Sequence, residues 1–266
     1  MRRKFSFAIG LLASVAAGGG SAVAADLSVK APPEVPAAVS DWTGFYVGVH
    51  GGYGWGHTSF ESEFVSNSPL LLEAAPPKVP PKGAVFGGQV GYNWQWGSVV
   101  GGLETDFSGT DIKEASPFTI PIQHVTPPAP LTNFSFSQGV KIDELASARA
   151  RFGYLALPNL LLYGTGGVGW GHSELDTNQL DNGTGVTVAG KSFNDEIGWV
   201  AGAGLEWKLW DHWLLRAEYL HYDFARHNNN AIPNFFFPGT TTPPFFNPVS
   251  STTTIDIARA ALSYKF

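Results

Sequence analysis

Residues 45–56 alternate cleanly enough to fix what this part of the chain can become. Phe45, Val47, Val49, Gly51, Tyr53 and Trp55 take the odd positions, while Tyr46, Gly48, His50, Gly52, Gly54 and Gly56 take the even ones. Successive side chains of a strand point to opposite faces, so a period of two marks a strand and not a helix. The segment from Phe86 to Trp96 repeats the pattern, with Phe86, Val90, Tyr92, Trp94 and Trp96 against Gln89, Asn93 and Gln95. Six further segments follow: 99–109, 144–155, 160–171, 196–208, 213–223 and 254–266. Each sets an apolar face against a polar or glycine face.

The connectors are equally ordered. Turns at 96–98, 156–159 and 210–212 are tight, and the stretches 57–83, 110–141, 172–194 and 225–252 are long and rich in Pro, Ser, Thr and Asn. Eight strands with strictly alternating short and long connectors predict an all-β fold: an eight-stranded antiparallel transmembrane β-barrel with short periplasmic turns and long extracellular loops. Inside hydrocarbon every backbone N–H and C=O needs a partner within the protein, so a sheet can span only by closing on itself. A soluble β-protein of the periplasm is the competing class, but it has no reason to segregate loop lengths.

Composition agrees. Only 14% of residues are charged, against about a quarter in ordinary soluble domains, and there are 32 glycines. Residues 1–24 read as a signal peptide: Arg2, Arg3 and Lys4 form a basic head, Phe5 to Ala17 an apolar stretch, and Ala22-Val23-Ala24 a cleavage site. Residues 25–41 read as a Pro/Ala-rich periplasmic leader, and 42–266 as the barrel. Without the three cations at positions 2–4, 13 Lys plus Arg face 22 Asp plus Glu, a charge of −9, which offers no basic face for nucleic acid. The absence of cysteine excludes thiol catalysis, thiolate zinc sites and a lipid-bearing N-terminal Cys.

A lipid-facing Lys or Arg at mid-bilayer costs roughly 2–4 kcal/mol, so the strand charges belong on the inner face. The alternation places Glu104, Asp106, Arg149, Arg151, Glu206, Lys208, Arg216, Glu218 and Arg259 there, which predicts a lumen plugged by ion pairs. Aromatic girdles are expected where strands meet the headgroups. Trp94, Trp96, Trp207, Trp210, Trp213 and Tyr264 fall on the turn side, and Tyr53, Trp55 and Trp170 on the loop side.

The segments Trp42-Thr43-Gly44-Phe45-Tyr46-Val47-Gly48, Arg149-Ala150-Arg151-Phe152-Gly153-Tyr154, Tyr163-Gly164-Thr165-Gly166-Gly167-Val168, Glu218-Tyr219 and Tyr264-Lys265-Phe266 resemble those of the alphaproteobacterial 25/31-kilodalton outer-membrane immunogenic proteins, small OmpA-like barrels. The resemblance covers Trp42 to Phe266. It implies a bacterial outer-membrane location and a surface protein that contributes to envelope integrity and meets host molecules. It also implies that Leu262, Tyr264 and Phe266 form the insertion signal read by the barrel-assembly machinery. The stretch Ala25-Asp26-Leu27 is similar to mature ends that related barrels attach to peptidoglycan. Haem capture by some members makes His57 and His172 the candidate axial ligands.

Three other motifs compete for attention. Gly164-Thr165-Gly166-Gly167-Val168-Gly169 fits the dinucleotide fingerprint, but a strand continues where a helix is needed. Asp176 to Gly183 is a calcium-loop fragment with its glycine misplaced. His221 and Asp223 beside Glu218 carry acid/base chemistry that suits a lipid-modifying barrel enzyme, yet no nucleophilic serine pairs with them. The leading reading is therefore a structural, surface-exposed barrel that is not an enzyme and needs no cofactor. A narrow channel or haem-binding protein is the first alternative, and the lipid-modifying enzyme the second.

Overall fold

The computed structural model describes residues 41–62, 79–122, 132–182, 185, 187–225, 227–229 and 249–266. The signal peptide and nearly all of the leader lie outside them.

The described residues form β1 (Gly44–Ser62), β2 (Lys82–Trp96), β3 (Val99–Ile122), β4 (Thr132–Leu157), β5 (Leu160–Asp181), β6 (Thr187–Lys208), β7 (Trp213–Phe224), β8 (His227–Asn229) and β9 (Val249–Lys265). From β1 to β7 each strand pairs antiparallel with the next, β7 pairs with β9, and β9 returns to β1. Tyr46 lies opposite Lys265, and the pairing runs on to Ser62 opposite Val249. Eight strands therefore make a closed ring, and the three-residue β8 lies beside β9 above it. Closure leaves no unpaired edge in the wall, which hydrocarbon requires.

Most strands run further than the apolar alternation indicates. The stretches read as loops at 110–141 and 172–194 are largely strand: β3 continues to Ile122, β4 starts at Thr132, and β5 and β6 approach within a short hairpin. The reason is an inversion of faces. In the lower part of the wall the outward face is apolar, with Val49, Phe86, Leu103, Phe152 and Ile197 all more than half exposed. Higher up, Ile112, Val140, Ile142 and Leu175 point inward and are buried, while Lys113, Lys141 and Glu174 point outward. A bulge also shifts the register between Gly109/Ile112 and Ile142/Glu144. It moves β4 by one residue, so even positions face out below it and odd positions above it. The Thr110 hydroxyl donates to the Ile142 carbonyl at this break.

The height of the apolar band follows from β2. From Trp96 up to Ala84 every outward residue is uncharged. Twelve steps at about 3.3 Å, tilted by about 40°, rise about 30 Å, enough for an apolar band of about 25 Å with its girdles.

Candidate functional site

The lumen holds three layers. At the turn end Trp42, Val100, Leu161, Tyr163 and Leu214 form a small apolar cluster. Trp42 is fully buried, its backbone N–H donates to Gln95 Oε1 at 2.7 Å, and its indole N–H donates to the Pro158 carbonyl at 3.2 Å. Gly44 lets the chain turn from β1 into this plug: its φ is +142°, and a Cβ there would sit 3.0 Å from the Phe266 carbonyl oxygen.

Above this plug lies the ionic layer. β3 supplies Glu104 and Asp106, β4 Arg149 and Arg151, β6 Glu206, β7 Arg216 and Glu218, and β9 Arg259; all are buried. Arg149 donates to Glu104 at 2.6 Å, to Asp106 at 3.0 Å and to Glu218 at 3.2 Å. Arg216 joins Glu104 at 2.5 Å to Glu206 at 3.1 Å. Arg259 bridges Glu218 at 2.6 Å and Asp106 at 3.1 Å, and Arg151 pairs with Glu206. Four carboxylates balance four guanidiniums, so the layer carries no net charge. Desolvating an ion costs several kcal/mol, and only such dense pairing offsets it.

Lys208 departs from its expected place. The alternation puts it inside with Glu206, but it lies at the strand end, where its ammonium leaves the lumen and donates to the Asp41 carbonyl at 3.2 Å. Conversely, neutral lumen residues went unassigned as partners of these ions. The Tyr46 hydroxyl donates to Glu104 at 2.6 Å, and the Tyr163 hydroxyl to Glu218 at 2.8 Å. Arg151 also stacks 4.1 Å from the Tyr163 ring centroid. The period of two that places the acids inside places these tyrosines there too.

The third layer is apolar and larger. It comprises Val79, Val85, Ile112, Val140, Ile142, Leu145, Leu175, Val200, Leu220, Tyr222, Phe224, Ile255 and Ile257. Two glycines of the Gly-rich stretch on β5 make room for it. A Cβ on Gly169 would lie 2.7 Å from the Tyr222 ring, and one on Gly171 3.0 Å from the Phe224 ring. Those glycines shape a lumen, and β5 simply continues past them as strand.

On the outer wall Tyr53, Trp55, Trp94, Trp96, Trp207, Trp210 and Trp213 are exposed, and Trp170 is half-exposed. Leu262 and Tyr264 lie on the outward face of β9, and Phe266 continues it just past the strand end. Phe266 packs 5.7 Å from Phe45 across the seam, and its N–H donates to the Phe45 carbonyl at 2.9 Å. His57 on β1 and His172 on β5 occupy opposite walls of the ring, with three wall strands between them in either direction, and both point outward. They cannot both ligate one haem iron. His172 instead meets Asp195 at 2.8 Å. Glu218 faces the lumen while His221 faces out to Asp256 at 2.7 Å, so the postulated acid/base group is split between two faces. A Ser108–His50 contact of 2.8 Å does exist, but it lies inside the lumen between the apolar layers.

The outer membrane protein beta-barrel domain family matches residues 12–241. This chain belongs to that family. A 31 kDa outer-membrane immunogenic protein of Brucella melitensis is 32% identical over 96% of this chain and 98% of its own length. A 25 kDa outer-membrane immunogenic protein of Brucella abortus is 30% identical, covering 92% of this chain and 91% of the relative. A 22 kDa outer membrane protein of Rhizobium leguminosarum bv. viciae is also 30% identical, over 69% of this chain and 64% of its length. The protein is thus an outer-membrane β-barrel related to outer-membrane immunogenic proteins, and its greasy belt faces membrane lipid.

Proposed function

We propose that this barrel is a sealed structural element of the outer membrane, and that the part of β3–β6 above the apolar band is its contact surface for host molecules and antibodies. The three-layered lumen carries the first half of this reading. A charge-balanced layer closed above and below by apolar side chains offers ions no hydrated path and a substrate no entrance. That the relatives are named immunogenic supports the second half. Separation of Glu218 from His221 and enclosure of the Ser108–His50 contact favour a protein that is not an enzyme.

Planar-bilayer recording tests the sealed lumen. The purified barrel should insert without discrete conductance steps, and reproducible steps would favour the channel reading. For the surface role, cells carrying a chain with β3 and β4 joined below Asp111 and Asp143 should keep the barrel but lose antibody and host-cell binding. Unchanged binding would refute it. We also propose that the aromatic end at Leu262, Tyr264 and Phe266 is the signal for the assembly machinery. Deleting Phe266 should lower the amount of inserted barrel without altering export, whereas unchanged outer-membrane levels would exclude that role. Attachment of residues 25–27 to peptidoglycan is a further proposal, decided by mass analysis of the envelope-bound N-terminus.

A further inference from the structure

The strand register brings together three lysines that are far apart in sequence. Lys82 on β2 lies directly opposite Lys113 on β3, and Lys113 directly opposite Lys141 on β4. Directly paired residues share a face, and here it is the outward one. We infer that Lys82, Lys113 and Lys141 form a docking row for the phosphate groups of a phosphorylated glycolipid in the outer leaflet. The inference rests on the outer-membrane location and adds a site to it.

Height, cost and scarcity support this assignment. Lys82 is the first charged residue on the outward face of β2 above the uncharged run from Trp96 to Ala84, which sets the row at headgroup level. Like charges directly opposite one another destabilise a sheet, so two adjacent Lys–Lys pairs call for an anion. Lys113 meets Asp111 at 2.8 Å and Lys141 meets Asp143 at 2.6 Å, but the first pair is exposed and the second open to water, and such surface pairs contribute about 0–1 kcal/mol and exchange readily. Ala84, two residues on from Lys82 on the same face, gives that lysine no carboxylate of its own strand. Trp55 on β1 lies opposite Lys82 and Glu174 on β5 opposite Lys141, which confines the row to three strands. Among the described residues, the four buried arginines are committed to the lumen, and Lys208 and Lys265 to the opposite mouth. Lys191 on β6 is matched with Glu174 and with Asp176 at 3.2 Å, which makes it the control.

The full chain, purified in a zwitterionic detergent, would be titrated with bisphosphorylated lipid A and with its dephosphorylated form, and the bound species counted by native mass spectrometry. The wild type should prefer the bisphosphorylated form, with binding that weakens as salt rises. Replacing all three lysines by glutamine should weaken it at least about tenfold, and Lys191→Gln should leave it unchanged. Heat-modifiable gel mobility of each variant reports the barrel itself; if the triple variant fails to fold, Lys82→Gln alone is measured and should weaken binding severalfold. Equal binding by wild type and the folded lysine variant, or equal binding of both lipid forms by the wild type, would overturn the inference.

Discussion

The lower and upper halves of the barrel use the same closed wall with opposite contents. Below, grease faces out and the lumen is ionic, with the Arg149 side chain 0% exposed among three carboxylates. Above, the lumen is apolar around Ile112, Val140 and Leu145, and apart from the buried Glu196, which accepts from Ser173, the charges face out, with the Lys113 side chain 60% exposed. The difference teaches that the surrounding solvent, not the strand, decides which face is polar. In lipid the outer face must be apolar and the tightly packed interior can hold charges only in pairs; in water the ordinary rule of an apolar inside returns.

Substitutions can break this contrast, beginning with the strongest. Arg149→Leu should strand Glu104, Asp106 and Glu218 with a buried charge excess and cost roughly 3–5 kcal/mol, read by guanidinium unfolding of the vesicle-inserted barrel through tryptophan fluorescence. Loss below about 1 kcal/mol would mean the layer is hydrated. Ala148→Arg puts a cation on the lipid face near mid-band and should cost about 2–4 kcal/mol. Its counterpart Ser137→Arg, outward on the same strand above the bulge, should stay within about 0.5 kcal/mol. Equal costs would erase the boundary between the halves. Trimming one methyl from the upper lumen with Ile112→Val should cost about 0.5–1.5 kcal/mol in the same assay.

How far the sequence could be read follows the same boundary. In the lower half, a period of two with grease outward located every wall strand, its tight turns and the inward phase of Glu104, Arg149 and Glu218. In the upper half the sense of the alternation reverses, so Ile112 beside Lys113 and Val140 beside Lys141 read as loop although they continue the strands. The bulge opposite Gly109 compounds this, because a single skipped residue on β4 ends any phase count started at Phe152. Lys208 was misplaced for a related reason: parity says nothing about where a strand leaves the lumen. The Trp42 plug depends on the turn at Gly44 and has no periodic signature. Nor does the sequence reveal that β1, which carries His57, and β5, which carries His172, stand across the ring from one another.

The reversal of faces is tested most directly on β4, and the absence of cysteine from the sequence makes single-site labelling clean. Spin labels placed one at a time from Gly139 to Tyr154 in the vesicle-inserted barrel would be scored for collision with oxygen, which partitions into lipid, and with a nickel chelate, which stays in water. Oxygen collisions should peak at Ala148, Ala150 and Phe152 and chelate collisions at Gly139 and Lys141, with the phase changing between Ile142 and Glu144. An unbroken alternation through that point, or strong oxygen contact at Val140, would contradict the account.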